Sequence, residues 1–306
     1  MNKKCDYEIG ERSDKLFVTF EVITQKGVGL LNEDAVISHP TANVYGVVDG
    51  VSSLTAYLNT NKETGGFIAA NLLRDYFESL AELGSLRDHI VEVNNLLREQ
   101  MVLANIDLEK KEELWGAALS ILHVQDDGVE FIQTGDCMIL AVYDNGEVRP
   151  LTWRQVSHLE APAFAKWQEG ISRGLNTQKE LHETVIDTIT KNRYQSNTDG
   201  GYGVLNGEKN AVRFLEYGKI NLTGLKHIIL LTDGMFLPSS VVPEQSSYWS
   251  FVAHEILTKG IKLYTQELLE LEDSDPECIN HIRFKKSDDK TAMVIHFQSD
   301  KPDECS

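Results

Sequence analysis

The residues of this chain best placed to do chemistry are carboxylates that sit where apolar runs break. They occur as Asn32-Glu33-Asp34-Ala35, Val47-Val48-Asp49-Gly50 and Leu231-Thr232-Asp233-Gly234, with a fourth run, Ser287-Asp288-Asp289-Lys290, much later. Two of these runs put Asp-Gly directly after apolar or β-branched residues. Charge at the end of a buried strand is costly unless something compensates it. Carboxylates converging from several strand ends repel one another, and divalent cations are the natural counterweight. The spacing therefore predicts a binuclear, oxygen-ligated metal site. A single Asp-Gly is more often a turn, so the expectation rests on the set. The nine histidines show no H-x-x-x-H pairing, which argues against a zinc site.

Those runs need a scaffold of strands, and the periodicity supplies one. Residues 16–23 form a β-rich run, and 44–48 make a short buried strand closed by Asp49-Gly50. Apolar positions recur at helical spacing over 62–83 and again over 86–111. Three strands follow, 117–124, 129–134 and 138–143, separated by Asp126-Asp127-Gly128 and Gly135-Asp136 and read as hairpin-linked. Hairpins mean antiparallel pairing, which argues against a doubly wound parallel sheet. A polar stretch, 153–219, with helical signals over 162–169 and 178–191, reads as an insertion able to carry substrate contacts. A strand over 227–232, one long helix over 244–271, a last strand over 291–297 and a solvated tail, 299–306, complete the reading.

Composition limits the function classes. The 306 residues are 42% hydrophobic, enough for a large core, and carry a net charge of −18. Such acidity argues against a nucleic-acid partner, whose binding surfaces are basic. Cys5, Cys137, Cys278 and Cys305 are scattered and lack C-x-x-C spacing, which fits reduced thiols and a cytoplasmic location. The N-terminal residues are charged with no apolar stretch behind them, and no window is apolar enough to span a membrane.

The order of these motifs resembles that of the metal-dependent protein phosphatases, the PPM or type 2C family, in its bacterial form. The likeness runs over about 19–297 and rests on several short motifs in sequence. Glu33-Asp34 is similar to the family's first acidic motif, and Val48-Asp49-Gly50-Val51 to its D-G-x-G strand end. Leu114-Trp115-Gly116-Ala117-Ala118 resembles the G-[ST]-[ST] strand start, and Thr134-Gly135-Asp136-Cys137 the G-D-S turn. Leu231-Thr232-Asp233-Gly234 and Asp288-Asp289-Lys290-Thr291 complete the set, the latter resembling D-N-x-[ST].

The resemblance implies a four-layer αββα sandwich of two mostly antiparallel sheets, an α+β fold forming one domain over 1–298. It also implies two Mg²⁺ or Mn²⁺ ions. Asp49 would bridge them, the Gly50 carbonyl and Glu33 would serve the first, and Asp233 and Asp288 would hold the second. Asp34 would hydrogen-bond the attacking water. The implied activity is hydrolysis of phosphoserine or phosphothreonine in a phosphorylated protein or peptide by a water or hydroxide bridging the metals. Hard oxygen ligands suit these ions.

The chain also departs from the pattern. The family's phosphate-gripping arginine, four residues before the acidic Glu, is Gly29 here, and Lys26, Arg173 and Arg193 are the candidate substitutes. Leu237 ends what would be Asp-Gly-x-x-Asp, Glu113 stands near a further acidic position, and Asp289 replaces the Asn of the last motif. Asp136 reads as a turn cap. Two alternatives stay open beside the protein phosphatase: a catalytically weak pseudo-phosphatase serving as a phospho-dependent or regulatory binding module, and a phosphatase of small phosphomonoesters.

Overall fold

The computed structural model describes residues 6–9 and 16–299. Cys5, Cys305 and all of the expected tail except Ser299 lie outside them, and Ser299 itself belongs to the last strand.

Two antiparallel sheets form the centre. One has six strands in the order β1 (Asp6–Ile9), β2 (Leu16–Gln25), β11 (Lys290–Ser299), β10 (Leu225–Leu231), β7 (Met138–Tyr143) and β8 (Val148–Pro150). The other has five: β3 (Asp34–His39), β4 (Val44–Val51), β5 (Gly116–Gln125), β6 (Gly128–Thr134) and β9 (Glu216–Ile220). Side-chain alternation builds the layers, because successive residues of a strand face opposite sides. On β10, Ile228 and Leu230 point into the space between the sheets, while Ile229 and Leu231 meet α5 (Tyr248–Lys259) and α6 (Ile261–Ser274) outside. On β4, Tyr45 and Val47 face the other sheet, while Val44 and Val48 pack under α1 (Gly65–Glu78) and α2 (Leu86–Leu103). The expected four-layer αββα sandwich is the one observed.

The polar stretch folds as α3 (Ser157–Ser172) and α4 (Gln178–Arg193). Trp167, Leu181 and Val185 share a small separate core with Cys278, Ile279, Ile282 and Phe284, so the pair is packed onto the loop that precedes Asp288. The Trp167 indole donates to the Cys278 carbonyl at 3.0 Å, and the Phe164 and Phe284 rings stack at 4.6 Å.

Several sequence expectations are corrected. The long helix over 244–271 is two helices, because Gly260 adopts φ 79° and breaks the hydrogen-bonded turn between α5 and α6. The second helix stops at Leu103, and Asn105 turns left-handed at φ 58°; Ile106, beyond the helix, still packs on the same core. Gly135-Asp136 is not a hairpin: β6 and β7 lie in different sheets, and this turn carries the chain between them. The insertion cannot reach residue 219, since β9 pairs with β6 as an edge of the five-stranded sheet. α3 starts five residues before the helical signal, with no side-chain cap at Val156 to announce it.

Candidate active site

The acidic runs meet at one end of the sandwich, between the sheets. Asp34 and Asp49 are direct cross-strand partners on β3 and β4, so their side chains share the face that looks toward the six-stranded sheet. Asp34 opens β3 instead of ending a strand, a correction to the sequence reading. Asp233 follows β10 by one residue beyond Thr232, and Asp288 lies two residues before β11. Thr232 ties the sheets together: its hydroxyl donates to Asp34 Oδ2 at 2.8 Å and its backbone N–H to the Thr291 carbonyl at 3.0 Å.

Glu33 and Gly50 sit together at the start of α1. Glu33 Oε1 accepts hydrogen bonds from Ser52 Oγ at 2.7 Å and from the Thr64 hydroxyl, the residue that caps α1. The Gly50 N–H donates to the Glu33 carbonyl at 3.0 Å. A Cβ at Gly66 would lie 2.8 Å from the Gly50 carbonyl oxygen and closer still to Glu33 Oε2, so only glycine lets the two oxygens share this space. That is the close approach for which Gly65-Gly66 opens the helix.

Asp289 closes the ring of segments from the other side. Its Oδ1 accepts from the Gly27 N–H and its Oδ2 from the Glu33 N–H, both at 2.7 Å. An asparagine offers a single acceptor oxygen, so the departure from D-N-x-[ST] has a structural reason here. Lys290, fully buried, donates to the Asp288 carbonyl at 3.0 Å and pairs with Glu272 of α6 at 2.8 Å. Asp289→Asn is expected to leave one of the two amides facing an NH₂ group and to lower stability by about 1–3 kcal/mol. Denaturant unfolding checks this, and an unchanged midpoint would refute the clasp.

The electrostatics mark the cluster as unfinished by protein groups alone. Burial, then the charges of Asp233, Asp34, Asp136 and Asp288, push the Asp49 carboxyl well above the usual carboxylate range. Burial also lifts Asp34, against hydrogen bonds from Thr232 and Thr291. Asp233 is raised to about 7 by burial and then by Asp288 and Asp136. Asp136 is raised to about 6 by burial and then by Glu160, with Arg154 opposing. Asp233 Oδ1 is buried and has no hydrogen-bond partner. An orphaned carboxylate oxygen among like charges is what a cation would satisfy, so the donor set fits divalent ions. The carboxylates do not close round one point, however. Among the described residues no three His, Cys, Asp or Glu side chains form a ready ligand set, and Asp288 Oδ1 is paired with Lys285 at 2.8 Å.

Of the sequence candidates, Asp34, Asp49, Asp233 and Asp288 interact directly, and Glu33 and Gly50 adjoin them through the β3–β4 junction. Asp136 joins this group, which its Gly-Asp-Cys context did not signal. Glu113 is engaged with Lys110 at 2.8 Å. Arg154 and Glu160, at the entry to α3, were also missed; they pair with each other at 2.8 Å beside Asp233 in a cavity of about 720 Å³.

The family model for protein phosphatase 2C matches residues 25–270, and the chain belongs to that family. Similar solved structures include PppA, described as a key regulatory component of T6SS in Pseudomonas aeruginosa, at 14% identity and TM-score 0.52, covering 92% of this chain and 98% of that one. Serine/threonine phosphatase Stp1 from Staphylococcus aureus is 15% identical with TM-score 0.55, covering 91% and 94%. The catalytic domain of the serine/threonine phosphatase PstP, in complex with two manganese ions, is 14% identical with TM-score 0.51, covering 92% and 99%. At these identities the likeness is one of fold. No curated protein matches the chain in sequence. Among the described residues no helix is long and apolar enough to cross a membrane.

Proposed function

We propose that this protein is a metal-dependent phosphomonoester hydrolase acting on phosphoserine or phosphothreonine in proteins. The observation that carries the reading is the joined set of Asp34, Asp49, Asp136, Asp233 and Asp288, whose mutual repulsion and orphaned Asp233 oxygen call for cations. Asp49, Asp233, Asp288, Glu33 and the Gly50 carbonyl would hold two Mg²⁺ or Mn²⁺ ions. Bound there, such ions would lower the pKa of water and neutralise charge on the phosphoryl oxygens. The chain's own residues do the positioning. Thr232 fixes the Asp34 carboxylate so that it accepts a hydrogen from the attacking water and orients it. Ser52 and Thr64 hold one oxygen of Glu33, which turns the other toward the Gly50 carbonyl. Lys290 and the Asp289 clasp fix the loop from which Asp288 projects.

The test is hydrolysis of p-nitrophenyl phosphate and of a phosphothreonine peptide, with Mn²⁺ and with chelator. Turnover that needs the metal is expected. Equal rates in chelator would refute the metal-dependent mechanism, and binding of phosphopeptide without turnover would establish the binding-module alternative instead.

A further inference from the structure

A phosphate dianion beside five aspartates needs a cation of the protein's own as well as metal charge, and position 29 supplies none. The sequence candidates are placed poorly for that task. Lys26 lies exposed, 3.4 Å from the Leu30 carbonyl. Arg173 is 72% exposed and 3.9 Å from Glu169 on the surface of α3. Arg193 reaches the cavity, with one terminal nitrogen donating to the Ser52 carbonyl at 3.1 Å. Arg283 also lines the cavity, with its nitrogens donating to Asp275 and to the carbonyls of Lys286, His281 and Glu272.

Arg154 is different. It lies between β8 and α3, lines the same cavity as Asp233 and Asp288, and its charge bears on both Asp136 and Asp233. Its guanidinium lies over the Phe236 ring at 5.0 Å and donates through one terminal nitrogen to Glu160 at 2.8 Å. Its Nε is buried without a hydrogen-bond partner. A planar group held over one ring and fixed at one edge keeps its fork oriented, and an unmet donor is a cost that an entering acceptor removes.

We infer that Arg154 grips the phosphoryl group of the substrate, in place of the arginine absent at position 29; the inference rests on the phosphatase reading above. Glu160 and Phe236 are its positioning residues. The ligand class is a phosphomonoester dianion, recognised by charge-assisted hydrogen bonds from the guanidinium.

The test measures phosphate two ways on the Mn²⁺-loaded protein: the Michaelis constant for p-nitrophenyl phosphate, and the affinity for inorganic phosphate by calorimetry. Arg154→Ala is expected to weaken both by roughly tenfold to a hundredfold, the effect of one lost charged contact, with Mn²⁺ binding retained as evidence of folding. Arg173→Ala is the control and should change neither. Gly29 has no positive φ, so Gly29→Arg added to Arg154→Ala should restore phosphate affinity. If Arg193→Ala weakens phosphate binding and Arg154→Ala does not, the inference is overturned. If the wild-type protein hydrolyses nothing, the phosphatase reading fails, and the phosphate titration still decides the anchor. Wild-type binding lost in Arg154→Ala upholds it, and no wild-type binding overturns it.

Discussion

Asp49→Asn is expected to lower Mn²⁺-dependent phosphatase activity by at least roughly a thousandfold, about 4 kcal/mol of transition-state stabilisation. The same substitution should raise the melting temperature of the metal-free protein. Both effects follow from one geometry. Asp49 faces Asp34 across the β3–β4 ladder and feels the charges of Asp233, Asp136 and Asp288. Removing its charge relieves the repulsion that destabilises the metal-free cluster, and it also removes the carboxylate proposed to bridge the ions. Opposite signs for stability and activity are the signature of a site strained for function. Calorimetric titration with Mn²⁺ and thermal melts in chelator check the pair. A variant that loses activity yet binds two Mn²⁺ ions as before, or that melts lower than wild type in chelator, would remove Asp49 from this role.

The acidic cluster of the metal-free protein is expected to cost stability as pH rises from about 4 to about 8, against the opposite drift from His227, which burial pushes down to about 4, and divalent ions should cancel that cost. Asp233 titrates near 7 and Asp136 near 6 in the folded chain, both lifted first by burial, whereas an unfolded Asp titrates near ~3.9. Between those values the folded state holds more protons than the unfolded state. Stability is therefore fully present below the unfolded pKa and falls as pH rises through the folded one, by up to about 1.4 kcal/mol per pH unit for each such group. The net charge of −18 acts in the same direction. Mn²⁺ held by the ionised carboxylates, as proposed, should flatten or reverse the slope. Melting curves at pH 5, 6, 7 and 8, in chelator and in Mn²⁺, decide it. A chelated protein whose stability falls no more between pH 5 and pH 8 than that of the Mn²⁺-loaded protein would contradict the clustered site.

The site was legible in sequence wherever a carboxylate interrupts a strong strand signal. Val44 to Val48 and Ile228 to Leu231 are buried runs, so Asp49-Gly50 and Asp233-Gly234 stand out against them. Asp136 was hidden because Gly-Asp in a short link between strands has a turn's composition, and only the assignment of β6 and β7 to different sheets turns it toward the cluster. Arg154 was hidden for a related reason. It lies in a polar segment with no periodicity, and its partners Glu160 and Phe236 come from α3 and from the loop after β10. The break at Gly260 was missed because the apolar positions on either side continue at helical spacing, and both α5 and α6 cover the same sheet. Local pattern records which residues are buried. It does not record which segment they meet.

The clasp made by Asp289 joins residues 262 and 256 positions apart, and β11, the last element among the described residues, lies inside its sheet between β2 and β10. Non-local pairings of this kind form late, and during synthesis the N-terminal part of a chain emerges first. A ribosome that has passed residue 280 has made both glycines of the α1 entry and four of the five clustered aspartates: Asp34 and Asp49 on their strands, Asp136 in the link between β6 and β7, and Asp233 just after β10. It has not made Asp288, the clasp, or the strand that seats them. The acidic cluster thus stays incomplete by its own order of assembly until the interior strand has slotted into place.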